Sequence, residues 1–174
     1  MDEPELRVIS AKQYLTISGE GAPDAPAVAA ALTRVNKALK ISAGLLNALW
    51  WSEGTGDEPS DKPDDWRWTI MTEALTIKPA QLEEAVAAAK AEKADPLLDK
   101  VTLETYEEGQ VVQVLYTGDL ADKQPAIEKM MAFALRQGFS PTGKYHEIYL
   151  DAPGSVAPDI SRTILRQPLA PSQS

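Results

Sequence analysis

The sequence predicts an α+β fold built from two duplicated βαββ halves. The halves are related by a pseudo-twofold axis, with an antiparallel sheet, helices on one side and a central ligand cleft. Three observations predict it. Runs of alternating, aromatic and branched residues outnumber the helical stretches. Both halves of the 174-residue chain read strand, helix, strand, strand. Short motifs also recur between the halves at a nearly constant spacing.

Taken in order, residues 6–9 and 14–18 alternate as strands do and stop at Gly19-Glu20-Gly21. Asp24 as N-cap, Pro26 in the first turn, and Val28, Leu32, Val35 and Leu39 at helical spacing predict a helix over 25–40. Residues 45–51 and 66–72 form an antiparallel strand pair that holds all four tryptophans, Trp50, Trp51, Trp66 and Trp68. The intervening 54–65 is rich in Gly, Asp and Pro and reads as a surface loop. An Ala-, Glu- and Lys-rich helix over 79–93 connects the halves, its Glu83-Glu84 pair a surface charge. Strands 101–106 and 110–116 flank a turn at Glu107-Glu108-Gly109. A helix over 122–137 follows, with Pro125 in its first turn and Gly138 as stop. The last strands are 144–150 and 162–167, separated by a loop, and 170–174 reads as a frayed end. The chain is one domain over 1–174: half one about 6–76, the connecting helix 79–93, half two about 100–169.

Composition removes several chemistries. With 17 basic and 26 acidic residues the formal charge is −9, and no basic cluster marks a nucleic-acid surface. There is no cysteine and one histidine, His146, so thiol chemistry and multi-histidine metal sites within one chain are excluded. No cofactor and no metal are expected. The acidic start, Met1 to Glu5, is not a signal peptide. No stretch reaches the roughly 20 apolar residues of a membrane span. A cytoplasmic monomer or homodimer is expected.

Function centres on 144–150. Side chains alternate along a strand, so Tyr145, Glu147 and Tyr149 share one face and His146, Ile148 and Leu150 the other. A carboxylate between two tyrosines can be the polar centre of an aromatic pocket; the plainer alternative is an edge strand with a solvated Glu. The duplication aligns Tyr14 to Ile17 with Val111 to Val114. It aligns Asn47-Ala48-Leu49 with Glu147-Ile148-Tyr149, and the run from Thr69 to Leu75 with Thr163 to Leu169. With the axis between the two middle strands, Asn47 and Glu147 would face one cavity, walled by tryptophans and tyrosines. Ordinary core packing is the alternative for the tryptophans. A lone buried carboxylate is costly, so Glu147 is expected to have a raised pKa from desolvation. His146 reads as structural, and Arg162 and Arg166 as partners of surface acids.

Leu49-Trp50-Trp51, Trp66-Arg67-Trp68-Thr69-Ile70-Met71, Glu107-Glu108-Gly109, His146-Glu147-Ile148-Tyr149-Leu150 and Thr163-Ile164-Leu165-Arg166-Gln167-Pro168 resemble the stand-alone GyrI-like proteins. These are similar to the effector-binding domains of AraC-type and MerR-type multidrug regulators. The resemblance covers about residues 6–169. It implies a duplicated βαββ fold around a small-molecule pocket, with Glu147 meeting lipophilic or cationic compounds. Some stand-alone members hydrolyse cyclopropane-bearing alkylating natural products, and the name-giving relatives inhibit DNA gyrase. The chain departs from the family pattern at Asn47, where a Glu is usual, at Tyr116, where His is frequent, and at Tyr145-His146, where a His pair is frequent.

The expected ligand contacts are therefore Asn47, Leu49, Trp50, Trp51, Trp66, Trp68, Tyr116, Tyr145, Glu147 and Tyr149. The leading expectation is capture of lipophilic or cationic small molecules, with no direct nucleic-acid or membrane partner. The alternative is a hydrolase of strained-ring electrophiles, with Glu147 as acid or base and Tyr149 or Tyr145 as second donor. A third is a protein inhibitor acting through an acidic surface.

Overall fold

A computed structural model describes residues 2–42, 44–52, 65–74 and 76–173. All of the expected loop except Asp65, and Leu75 of the aligned motifs, lie outside the described residues. The first half contains β1 (Glu5–Ile9), β2 (Lys12–Glu20), α1 (Ala25–Ala38), β3 (Leu46–Ser52) and β4 (Trp66–Glu73). Helix α2 (Pro79–Glu92) leads to β5 (Thr102–Tyr106), β6 (Gly109–Thr117), α3 (Gln124–Arg136), β7 (Phe139–Pro141), β8 (Tyr145–Tyr149) and β9 (Arg162–Pro171). Local chemistry sets the ends. The Asp24 carboxylate accepts from the Ala27 N–H and starts α1. Gly138, at φ +87° beyond the end of α3, takes the left-handed turn that closes it. Two features differ from the sequence reading. Strand β7 was not foreseen, and it pairs with the end of β9, so Ala170 and Pro171 are strand rather than frayed tail.

The sheet order is β1-β6-β9-β8-β3-β4-β2-β5, with β7 on β9 and every pairing antiparallel. Exchanging β1 with β5, β2 with β6, β3 with β8 and β4 with β9 returns the same order reversed. That is the expected duplication. The registers agree with it residue by residue. Tyr14 faces Glu73; 97 positions after Tyr14, Val111 faces Pro168, which is 95 after Glu73. Ala48 faces Ile70; 99 and 95 positions on, Glu147 faces Leu165. Ala48 also faces Glu147 directly, so the axis passes between them.

This register corrects the sequence alignment. The counterpart of Glu147 is Ala48, and the counterpart of Asn47 is His146. The motif match had slipped by one residue in β3 and in β4, because the flanking loops absorb length. A one-residue slip moves every side chain to the other face.

The helices cover one face. Val28, Ala31, Leu32 and Val35 of α1 pack on Leu15, Ile17, Ala48 and Ile70. Ala126, Ile127, Met130 and Ala134 of α3 pack on Val112, Val114, Tyr145 and Leu165. Helix α2 lies against α1 through Ala85 and Ala89.

The other face is buried differently. Strands β1 and β2 are six positions apart in the sheet, yet two residues join them; β5 and β6 are related in the same way. Six strand spacings on a flat sheet would be roughly 29 Å. Two linking residues reach about 10 Å. The sheet therefore curls until its ends meet, and the helix-free face lies inside the curl. Tyr14, Leu49 and Met71 form a small core there, with Trp51 and Tyr106 against it.

Candidate functional site

Glu147 stands at the middle of β8, on the helix-covered face, with only the Ala48 methyl group facing it across β3. Its carboxylate is buried, 3% exposed, and takes three donors. The Tyr149 hydroxyl donates to Oε1 at 2.8 Å, and the Tyr145 hydroxyl donates to Oε2 at 2.9 Å. The third donor is Lys123, whose Nζ lies 2.6 Å from Oε2. Lys123 precedes the first turn of α3, where the helix dipole disfavours a cation; Glu147 offsets that. The ammonium also lies 5.4 Å from the Tyr145 ring centroid, within cation–π range. Burial, reinforced by the Glu147 charge, pushes the Tyr149 hydroxyl well above its usual value, so it stays a donor. The expectation of a lone carboxylate is thus corrected: Glu147 is an ion pair. The sequence reading missed Lys123. The available signal was a lysine at a helix start, which calls for an acid nearby.

Aromatic side chains extend the site along the sheet. Trp50 faces Tyr145 across β3 and β8, and faces Trp68 across β3 and β4. Trp66 meets Trp50 edge to face, with centroids 5.9 Å apart. Trp50 touches both helix-side cores and so bridges the two halves. Trp68 lies flat over Gly19: a Cβ there would sit 2.4 Å from the indole ring. The indole N–H groups of Trp50 and Trp68, and the Thr163 hydroxyl opposite Tyr149, are buried without a hydrogen-bond partner among the described residues. The Trp50 N–H lies near the Tyr149 hydroxyl but does not bond it.

Seven of the ten expected contacts therefore share one face: Trp50, Trp66, Trp68, Tyr116, Tyr145, Glu147 and Tyr149. The Tyr116 hydroxyl is engaged elsewhere, donating to the Asp119 carbonyl at 2.7 Å. Asn47, Leu49 and Trp51 are on the opposite face, by the register shift described above. Leu49 is in the inner core. Trp51 lies under the Lys144 ammonium, 3.9 Å from its ring centroid.

Asn47 belongs to a second buried polar cluster inside the curl. His146 is fully buried, and both its ring nitrogens face acceptors. Nδ1 lies 2.6 Å from Glu108 Oε1, and Nε2 lies 2.8 Å from Asn47 Oδ1. The Asn47 amide is oriented by donating Nδ2–H to the Leu45 carbonyl. Both bonds are complete only when both ring nitrogens carry protons. Arg166 Nη1 donates to the other Glu108 oxygen at 2.9 Å, and its Nε donates to Gln113. Burial pushes the Glu108 carboxyl up, but His146 and Arg166 together outweigh it and hold it below 4.5. Burial, then the Glu108 charge, pushes the Tyr14 and Tyr106 hydroxyls up to about 12. Glu108 does lie in the turn that the sequence predicts, but its carboxylate is buried, and the reading of Arg166 as a partner of surface acids is corrected here. The two-residue link between β5 and β6 carries Glu108 inward. The cavity beside this cluster, lined by Tyr14, Asn47, Ile148 and Arg166 among others, holds about 140 Å³. That is below the roughly 300 Å³ where drug-sized pockets begin. Among the described residues no group of acids and His is placed to hold a metal ion, and no helix is long and apolar enough to cross a membrane.

No family model matches the chain, and no curated protein matches it. Solved structures do. An uncharacterized conserved protein from Listeria innocua is 26% identical, with a TM-score of 0.87 over 97% of this chain and 92% of that one. A structure described as a hydrolase from Listeria innocua is 25% identical, with a TM-score of 0.86 over the same shares. SAV2435, solved bound to tetraphenylphosphonium, is 14% identical, with a TM-score of 0.50 over 97% of this chain and 94% of that one. The fold is the GyrI-like one. Its α+β architecture, with an antiparallel sheet and helices on one side, is the one the sequence predicts.

Proposed function

We propose that the chain binds a lipophilic, aromatic small molecule on the helix-covered face of the sheet, at the junction of its halves. One observation carries this: a carboxylate 3% exposed, surrounded by Trp50, Tyr145 and Tyr149, whose only cationic partner, among the described residues, is a lysine 30% exposed. Glu108, on the other face, is by contrast held by His146 at 0% and Arg166 at 12% exposure. Aromatic walls supply most of the contact area, and Glu147 with its donors orients the ligand. Trp50 and Trp68 line the site and report on it.

A second reading is hydrolysis of a strained-ring electrophile in the same site. It is favoured by the 25%-identical structure described as a hydrolase. Glu147 would take a proton from a water that attacks a ring carbon, the strained C–C bond would break, and Tyr149, held protonated, would donate to the conjugated carbonyl oxygen that receives the electron pair.

One experiment tests both. Tryptophan fluorescence is followed across a panel of lipophilic aromatics, cations and cyclopropane electrophiles, with mass spectrometry of each mixture, for wild type and Glu147→Gln. Saturable quenching with unchanged ligand mass, weakened in the variant, is the expected result. A product heavier by one water, absent in the variant, would establish the hydrolase instead. A panel without any response would overturn the site.

A further inference from the structure

Lys123 fills the position that a cationic ligand would take. Its ammonium bonds Glu147 at 2.6 Å and lies over the Tyr145 ring. These are the counter-charge and the π-face that a ligand cation would use. Among the described residues, the groups left unengaged around the site are the buried Trp50 and Trp68 indole N–H groups, which can only donate, and the Thr163 hydroxyl opposite Tyr149, which can donate or accept. The charge of Glu147 is already neutralised, and both phenols already donate to it. What the site still lacks is a hydrogen-bond acceptor, since buried donors without partners are costly.

Resting on the binding reading above, we propose that the site takes a neutral aromatic ligand bearing an acceptor oxygen, and that Lys123 is the specificity residue that excludes cations. A cation can enter only by expelling the ammonium to solvent, which its partial exposure allows. The tether returns it at high effective concentration. Were Lys123 seated for about 90–99% of the time, the apparent affinity for a cation would fall by about 10- to 100-fold. A neutral ligand does not meet this competition.

The test compares two probes of similar shape, tetraphenylphosphonium and triphenylphosphine oxide, by tryptophan quenching on wild type, Lys123→Met and Lys123→Arg. Wild type should favour the neutral oxide. Lys123→Met should shift the preference toward the phosphonium by about tenfold or more, while Lys123→Arg, which keeps the cation, retains the wild-type order. The comparison is of two ligands on one protein, so a general loss of stability does not mimic it. A measurement on wild type alone covers the case in which Lys123→Met does not fold. Acetylation of Lys123, read by mass spectrometry, should be slow in the free protein, faster with saturating phosphonium, and unchanged with the oxide. Wild type preferring the phosphonium, an unchanged preference in Lys123→Met, or a phosphonium that leaves Lys123 protected would overturn the exclusion role while leaving the site. Failure of both probes on every form would remove the binding reading as well.

Discussion

Two buried carboxylates lie on opposite faces of the same sheet and are held in contrasting ways. Glu108, inside the curl, is clamped by His146, which is fully buried, and by Arg166, whose side chain is 12% exposed. Each partner is fixed in turn by Asn47 or Gln113. Glu147, under the helices, is held by two phenols and by a lysine whose side chain is 30% exposed. The first arrangement is closed, and removing Glu108 or Arg166 takes away the other's counter-charge. In the second, the cation lies at the rim, so losing the carboxylate leaves no buried cation behind. The difference separates a carboxylate closed in on both sides from the one we propose as a binding group.

The largest effect should come from the clamp. Glu108→Gln removes the counter-charge of the largely buried Arg166 and the carboxylate facing His146 Nδ1, and should cost about 3–5 kcal/mol of stability, read by denaturant unfolding. The same group sets the acid limb. Its folded pKa lies below the ordinary 4.5, so the folded state binds fewer protons than the unfolded chain. The contribution is full above about 4.5 and is lost as pH falls through the lowered value. Wild-type stability should therefore drop steeply below pH 4.5, and Glu108→Gln should flatten that slope. A variant with wild-type stability would end the comparison.

The next effect should be at Gly19. A methyl group there meets the Trp68 ring at 2.4 Å, so Gly19→Ala must displace the indole, at about 1–3 kcal/mol. Its tryptophan emission should shift, and the ligand response should weaken. Emission identical to wild type would mean that Trp68 is not held where the site needs it.

Glu147→Gln sharpens the contrast. The amide still accepts from a phenol, and Lys123 turns to solvent. The expected loss is about 1 kcal/mol, well below that of Glu108→Gln, while ligand response falls. Equal losses for the two variants would make Glu147 a second clamp. The smallest effect should be at Arg162, whose pair with Asp151 is exposed. Arg162→Ala should leave the unfolding midpoint unchanged within error.

The architecture was legible because alternation and duplication are each written locally. Tyr145, Glu147 and Tyr149 share a face in any strand, and Asp24 and Gly138 end helices by short-range chemistry. What was not legible depended on register and closure. A motif match across loops of unequal length is uncertain by one residue, and that residue moved Asn47, Leu49 and Trp51 to the wrong side. Glu108 reads as a turn acid because nothing local shows that its turn folds over β8. Lys123 is 24 positions from Glu147, and only its disfavoured place at a helix start marked it.

The exchange of first strands has a consequence for how the chain folds. Strand β1 belongs to the first half by sequence but pairs with β6, Glu5 against Gln113, and β5 returns to β2 in the first half. Neither half can complete its own sheet. A ribosome must release the second half before the first can close, and the slow step brings together segments about a hundred residues apart. Such non-local topology favours folding in milliseconds to seconds rather than microseconds. Severed in the α2–β5 connection, the two pieces should each remain open alone and recover a native spectrum only when mixed.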